Sequence, residues 1–187
     1  MPSRVTPAPV RSLRQPALGA AYTVLESATR GAGERTLLAV DLCAAGGTSP
    51  QRYLARDARY EAVAGRLTLW VEGVAHVLEP GESLVVPAGA ARRLANDTLG
   101  GVRLRLDLTP GHEGFERALR AWCALAADGL VARDGSPLSP YHLAVLLDWS
   151  QTRPAALSAD AETPLALLLR AAHARGVDAA LAERYAL

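Results

Sequence analysis

The sequence predicts a mainly β protein, with many short antiparallel strands forming a sandwich or barrel, followed by a small α-helical region. Short runs of alternating apolar and polar residues recur from about residue 21 to residue 109, and Gly, Pro, Asn and Asp separate them. After Pro110 the apolar spacing becomes that of a helix. A chain of 187 residues suits one domain with an appendage. We therefore expect an N-terminal arm over residues 1–20, a barrel over 21–110 and a helical region over 111–187.

The N-terminal arm is rich in Pro and Arg, and we expect it to be irregular. In the barrel, one of the clearest alternations places Leu67, Leu69 and Val71 on the same face of a strand. Such alternation predicts one buried face and one exposed face for each strand. We expect eight strands, over residues 21–26, 36–44, 59–64, 66–71, 75–78, 83–86, 92–95 and 102–108.

The helical region begins with apolar residues at i, i+4, i+7 and i+11 from Phe115, which predict a helix ending near Gly129. A helical segment of about 75 residues rarely folds alone, so we expect it to dock on the barrel or on a second subunit. Because proline favours the first position of a helix, further starts are expected at two Ser/Thr-Pro pairs. These further helices follow Ser139-Pro140 and Thr163-Pro164, with a last one over 179–185.

The most specific pattern in the chain lies in residues 80–96. It has Pro-Gly, five residues, Pro-x-Gly, two residues, Arg92, three residues and a final Asn. The prolines, glycines and asparagine predict turns on either side of two short strands. This spacing resembles the second motif of the cupin family, in which a histidine stands at the position of Arg92. The residues that match the motif are Pro80, Gly81, Pro87, Gly89 and Asn96.

Residues 47–65 resemble the first cupin motif, which contains a glycine, His-x-His, a glutamate and a closing glycine. Both glycines are present, but Gln51 and Tyr53 stand at the histidine positions and Ala58 at the glutamate position. The resemblance implies a cupin barrel over about residues 21–109, that is, a double-stranded β-helix or jelly roll.

The resemblance also locates the metal site of the family, and the ligand chemistry there is lost. A bound iron, manganese or zinc ion needs imidazole nitrogens and a carboxylate that converge on it. The degenerate positions hold Gln51, Tyr53, Ala58 and Arg92, and the arginine repels a cation. None of the four histidines is spaced as part of a ligand pair. We therefore expect no metal and no other cofactor, which counts against the dioxygenase activity familiar in the family.

The resemblance places Gln51, Tyr53, Tyr60 and Arg92 on strands that face the barrel interior. One hypothesis is a pocket in which Arg92 binds a carboxylate or phosphate, while the phenol and amide groups supply directional hydrogen bonds. The alternative is that Arg92 plugs the former metal site through an ion pair with an acidic neighbour, namely Asp57, Glu61 or Asp107.

Three functions remain compatible with these residues. The first is a metal-free cupin that binds a small polar or anionic molecule in its barrel. The second is a metal-independent isomerase, epimerase or lyase with Tyr53 as acid and Arg92 as electrostatic stabiliser, although no histidine stands in the pocket to act as a base. The third is a structural or protein-interaction module with a filled barrel.

Composition excludes several other functions. All 20 basic residues are Arg, and the absence of Lys excludes Schiff-base chemistry, pyridoxal-phosphate attachment and a P-loop lysine. A net charge of +1 gives no general attraction to nucleic acid or to an anionic membrane. Cys43 and Cys123 form no CxxC motif, and no signal-like or membrane-spanning segment is found, so a soluble cytoplasmic protein is expected. Since cupin barrels commonly pair, the resemblance implies a homodimer.

Overall fold

The computed structural model describes residues 12–29, 33–157 and 162–186. In these ranges, two antiparallel sheets enclose one apolar core. The six-stranded sheet has the order β1 (Ser12–Gln15), β2 (Ala20–Glu26), β3 (Thr36–Leu42), β10 (Val102–Leu108), β5 (Ala58–Ala64) and β8 (Ser83–Val86). The five-stranded sheet has the order β11 (Thr152–Pro154), β4 (Gln51–Tyr53), β9 (Arg92–Ala95), β6 (Leu67–Val71) and β7 (Val74–Leu78).

The predicted β barrel with C-terminal helices is confirmed, and all eight expected strands lie within two residues of their expected ends. Three further strands, β1, β4 and β11, were not predicted. Strand β1 corrects the expectation of an irregular arm, because its four residues pair with β2; residues 1–11 of that arm lie outside the described residues. Strands β4 and β11 have three residues each, too few to show alternation, and they pair with each other.

The core consists of the inward residues of both sheets. On β3 and β10 every second residue is buried, and the two rows are in register, for example Leu106 opposite Leu38. Burying a leucine side chain of this kind contributes roughly 1.5–3 kcal/mol. The charged residues of these strands face outward, because side chains alternate across a sheet. The alternation seen in the sequence therefore fixes which face of each strand lies inside the barrel.

Helix α1 (Glu113–Ala127) packs against the barrel core. Its residues Phe115, Leu119 and Cys123 contact the core of the sheets, and its opposite side contacts the remaining helices. His112 precedes the helix, and its Nδ1 atom accepts a hydrogen bond from the Phe115 backbone N–H at 3.4 Å. Such a cap satisfies one of the free N–H groups at the start of a helix.

A buried carboxylate fastens α1 to the six-stranded sheet. Glu116 is 1% exposed, and its Oε1 accepts hydrogen bonds from the Ala28 backbone N–H at 2.7 Å and the Thr36 hydroxyl at 2.6 Å. Its Oε2 accepts a hydrogen bond from the Ser27 hydroxyl at 2.5 Å. Hydrogen bonds to a charged acceptor are stronger than neutral ones, and this set offsets the cost of burying the charge.

The other helices form a second apolar cluster against the outer side of α1. They are α2 (Pro140–Ser150), α3 (Glu162–Ala174) and α4 (Val177–Arg184), of which the first two begin near the predicted proline signals. The last begins two residues before the predicted range of 179–185. None of the described helices combines the length and apolar character needed to cross a membrane.

Candidate functional site

Three strands carry the predicted site residues into the barrel. Strand β4 supplies Gln51 and Tyr53, strand β5 supplies Tyr60, and strand β9 supplies Arg92. Gln51 and Arg92 are opposite each other in the register of β4 and β9. Tyr53, Tyr60 and Arg92 are buried, and Gln51 is half-buried. The side chains of Tyr53 and Tyr60 both contact Arg92 in the barrel interior, to which the cupin resemblance assigned all three residues.

The turns before and after β9 hold Arg92 in position. Gly89 has a φ of +80°, which favours glycine, and its N–H donates to the Tyr53 carbonyl at 2.7 Å. After the strand, the Asn96 side-chain amide donates to the carbonyls of Cys43 at 2.8 Å and Gly100 at 2.7 Å. These bonds tie both ends of β9 to neighbouring segments and define the direction in which Arg92 points.

Arg92 lies between two tyrosine side chains. Its guanidinium carbon is 3.0 Å from the centroid of the Tyr53 ring, and its Nε donates a hydrogen bond to the Tyr60 hydroxyl at 2.5 Å. The residue is only 3% exposed. A cation over an aromatic face is attracted by about 2 kcal/mol or more when both are removed from water. The Nη2 atom of Arg92 is buried and has no hydrogen-bond partner among the described residues.

The protonation states of this cluster limit its chemistry. Burial raises the pKa of Tyr60 well above its ordinary value, and the neighbouring Tyr53 raises it further, while Arg92 opposes the shift. Tyr60 is therefore a neutral phenol at neutral pH, and the guanidinium of Arg92 keeps its charge. The cluster can donate hydrogen bonds and stabilise negative charge, but neither residue is a ready proton acceptor.

The predicted ion pair between Arg92 and a nearby acid is wrong, because each of the three candidate carboxylates has another partner. Asp57 accepts a hydrogen bond from the Ala88 backbone N–H at 2.8 Å. Glu61 pairs with Arg105 at 3.4 Å, and Asp107 pairs with Arg35 at 2.7 Å. Glu61 and Asp107 alternate with buried neighbours on their strands, so they belong to the outer face.

The helical region closes the barrel beside this cluster. The ring of Phe115 meets that of Tyr53 edge-on, with centroids 5.5 Å apart and planes at 86°. Strand β11, which follows α2, pairs with β4 along Gln51–Tyr53. The cavity that remains next to Tyr53 has a volume of about 10 Å³, enough for roughly one water molecule. It is lined by Tyr53, Ala55, Arg56, Leu108, His112, Phe115, Ser150 and Gln151.

Residues 57–109 match the family model described as a cupin domain. The match covers 53 of the 187 residues, so this segment of the chain is similar to a cupin domain. Similar solved structures include the polyketide cyclase RemF from Streptomyces resistomycificus, with 19% identity, a TM-score of 0.49 and coverage of 58% of this chain and 80% of that one. An RmlC-like cupin from Shewanella frigidimarina has 18% identity, a TM-score of 0.48 and coverage of 57% and 89%. No match is found among curated proteins.

The barrel does not present the donor set of a metal site at the positions that the cupin motifs would assign to ligands. Gln51, Tyr53, Ala58 and Arg92 stand there, so that a charged guanidinium occupies a place where a cation ligand is needed. Throughout residues 12–29, 33–157 and 162–186, no group of three or more His, Cys, Asp or Glu side chains could hold an ion. The residues present therefore do not fit a resident iron, manganese or zinc ion.

The sequence did not predict that the C-terminal region contributes residues to this site. The sequence predicts Phe115 in a helix of the region expected to dock, and its ring contacts that of Tyr53 inside the barrel. Strand β11 carried no recognisable signal, since three residues that include Pro154 do not indicate a strand on their own. The closure of this barrel by its own C-terminal region is thus visible only in the folded chain.

Proposed function

We propose that this chain is a metal-free cupin with a filled barrel, which acts as a structural or interaction protein. The observation that supports this most directly is the position of Arg92, which packs on Tyr53 and donates to Tyr60 where a metal ligand would be expected. Phe115 and β11 close the same end of the barrel. A catalytic or ligand pocket generally needs hundreds of cubic ångströms, far more than the cavity beside Tyr53.

The alternative of a metal-independent isomerase, epimerase or lyase has less support. Such reactions need a positioned proton acceptor close to the substrate. Tyr60 is neutral, Arg92 is a permanent cation, and His112 uses Nδ1 to accept the hydrogen bond that caps α1. We therefore consider a catalytic function less well supported than a structural, interaction or ligand-binding one.

A second candidate function has one specific observation in its favour. The Nη2 atom of Arg92 is buried without a partner, and an unpaired charged donor in a protein interior is unfavourable. A small polar or anionic molecule that enters the barrel and accepts a hydrogen bond from this atom would remove that penalty. This candidate requires the side chains around Tyr53 to move.

We also propose that the protein is a homodimer paired through β7. This strand is at the edge of the five-stranded sheet and carries no Asp, Glu or Arg. Its Val74 and Val77 are 59% and 52% exposed. An uncharged edge strand with unpaired backbone groups favours pairing with a second strand. Light scattering should report a dimer that Val77→Lys converts to a monomer, and a monomeric wild-type protein would contradict the proposal.

The two cysteines support a reducing, cytoplasmic location, since both are free, with Cys43 exposed and Cys123 buried. The near-zero net charge supports neither nucleic acid nor a membrane surface as a partner. We further propose the division suggested by the sequence, with a barrel over residues 21–110 and a helical region over 111–187 that packs on it.

The filled, metal-free barrel is tested first by metal analysis of the full-length protein purified from cells supplied with iron, manganese and zinc. We expect metal well below one ion per chain. Stoichiometric binding of any of the three, retained after dialysis, would overturn the proposal.

Thermal-shift measurements with carboxylates and sugar phosphates then separate a filled barrel from a ligand-binding one. The comparison uses the wild-type protein and Arg92→Met, which retains bulk while removing the charge. Equal shifts in the two proteins support the filled barrel. A stabilisation by one compound in the wild type that is lost in Arg92→Met supports the second candidate and contradicts the first.

A further inference from the structure

A depression with a volume of about 610 Å³ lies on the outer side of the six-stranded sheet, away from the buried Arg92 cluster. Its size falls in the range of small-molecule sites in proteins. It belongs to no motif identified in the sequence. Its lining residues are Arg14, Pro16, Gly19, Ala20, Ala21, Asp41, Leu42, Cys43, Ala64, Gly101, Val102 and Arg103.

The depression results from small residues placed between long ones. One row across the sheet contains, on successive strands, Arg14, Ala21, Asp41, Arg103 and Ala64. Ala21 leaves space between Arg14 and Asp41, and Ala64 leaves space beyond Arg103. Neighbouring strands are about 4.8 Å apart, so the two arginines, three strands from each other, bracket about 14 Å of this row.

The charges along this row do not cancel. The Nε atom of Arg103 donates to Asp41 Oδ1 at 2.7 Å, which neutralises that carboxylate and directs the guanidinium across the sheet. The Arg103 side chain remains 58% exposed, so its Nη groups face solvent. Arg14 is exposed and has no ion-pair partner among the described residues. One uncompensated positive charge therefore lies at the edge of the depression.

We propose that this depression binds a small molecule through a single carboxylate or phosphate group, held by Arg14 and the Nη groups of Arg103. A guanidinium donates two parallel hydrogen bonds to either group, which gives both strength and orientation. The rest of the ligand lies over Ala21, the small residue between Arg14 and Asp41. Because the site is exposed, salt screens the attraction, and binding weakens as ionic strength rises. The proposal does not depend on whether the barrel is filled.

Cys43 provides a specific reporter of occupancy. It is exposed and lines the depression, and its Sγ lies so close to Gly19 that a Cβ atom there would overlap it. The only other cysteine, Cys123, is buried, and burial raises its pKa to about 12. Alkylation by neutral iodoacetamide therefore modifies Cys43 in the folded protein and leaves Cys123 unmodified.

The test measures the alkylation rate of Cys43 in the full chain at fixed ionic strength, with inorganic phosphate or benzoate as the probe and sodium chloride as the balancing salt. We expect saturable protection in the wild type. In Arg14→Gln the apparent dissociation constant of the probe should rise about tenfold, the loss expected for one charge-assisted contact. Protection by phosphate alone indicates that the ligand's anionic group is a phosphoryl group. Protection by benzoate alone indicates a carboxylate.

The matched control is Arg59→Gln, which removes an exposed arginine from the same sheet face outside the depression. Its probe affinity should equal that of the wild type. Each variant's rate is divided by its own rate without probe, since removing a charge also alters thiol reactivity. Absence of protection by both probes, or equal protection in Arg14→Gln and the wild type, would overturn the proposal. Thermal unfolding confirms that each variant is folded.

Discussion

The guanidinium carbon of Arg92 lies 3.0 Å from the centroid of the Tyr53 ring, and both residues are buried inside the barrel. Asp57, Glu61 and Asp107, the three acids considered as its ion-pair partners, are all bonded elsewhere. The cation is instead stabilised by an aromatic face and by the hydroxyl of Tyr60. A charge held by neutral partners is sensitive to the loss of any one of them.

We expect Tyr60→Phe to lower the free energy of unfolding by about 1–3 kcal/mol, since it leaves the Arg92 Nε–H buried without an acceptor. Replacing both partners by apolar groups removes the unsatisfied atoms together, so the double variant Arg92→Met/Tyr60→Phe should lose less than the sum of the two single variants. Urea denaturation of the four proteins measures this coupling.

The control for this cycle is Tyr22→Phe. Tyr22 is also a buried tyrosine, but its hydroxyl makes no hydrogen bond among the described residues. Its removal should change stability less than Tyr60→Phe does. Strict additivity of the Arg92 and Tyr60 substitutions would show that the two side chains do not depend on each other.

The buried tyrosines should make the protein sensitive to alkali. Burial raises the pKa values of Tyr60 and Tyr22 above 10.0, their ordinary value, which an unfolded chain restores. Below that pH both states hold the phenolic proton and stability is independent of it. Above it only the unfolded state loses the proton readily, so stability falls as pH rises. Unfolding followed between pH 8 and 11 should show this decline, and Tyr22→Phe/Tyr60→Phe should flatten it.

Absorbance at 295 nm provides a second measurement of the same effect. Tyr60 and Tyr22 should ionise only as the protein unfolds. Cys123 adds to the loss of stability above pH 9, because burial also raises its pKa. It does not absorb as a phenolate, however. Ionisation of all five tyrosines near pH 10 in a folded protein would contradict the burial of Tyr60.

The accuracy of the sequence prediction depended on how local each signal was. The strand over Val102–Leu108 alternates between buried and exposed residues along its whole length, so its range could be predicted without knowing its neighbours. Strand β11 pairs only with β4 among the described strands, and residues about a hundred positions apart carry no joint signal in one sequence. Tyr53, Tyr60 and Arg92, which the cupin resemblance assigned to the barrel interior, are buried there in contact with one another.

The partner of Arg92 was predicted incorrectly although the necessary signal was present. On β5, Tyr60 and Glu61 are adjacent and must face opposite sides of the sheet. Because Tyr60 faces the interior, Glu61 could not reach an inward guanidinium. The same alternation excludes Asp107, which lies between Leu106 and Leu108 on β10. The depression on the outer face, in contrast, depends on register across five strands and could not be predicted.

The buried carboxylate of Glu116 should be essential for docking α1. We expect Glu116→Gln to lower the free energy of unfolding by about 2–4 kcal/mol, because the new amide NH₂ group faces donors that then lose their acceptor. The matched control is Glu113→Gln in the same helical turn, whose side chain is exposed. It should change stability by less than about 0.5 kcal/mol. Equal effects of the two substitutions in urea denaturation would contradict the role of Glu116.

His112 should make the start of α1 sensitive to acid. Burial and the nearby Arg56 lower its pKa below 6.5, while the Ser150 backbone and Glu116 oppose the shift. Neutral His112 accepts a hydrogen bond at Nδ1, whereas the protonated ring cannot accept and places a positive charge at a helix N-terminus. A depressed pKa gives stability that is present above pH 6.5 and is lost as pH falls through the folded value.

The variant His112→Asn retains a capping acceptor that does not titrate, so its stability should vary less between pH 7 and 5 than that of the wild type. Burial also lowers the pKa of His142, which therefore contributes its own acid dependence, and His142→Gln is the control that removes this part. In His142→Gln, the free energy of unfolding should still fall between pH 7 and pH 5. We expect this fall to vanish when His112→Asn is added. If stability falls equally in wild type and His112→Asn, the N-cap does not titrate, and the acid sensitivity belongs to other groups.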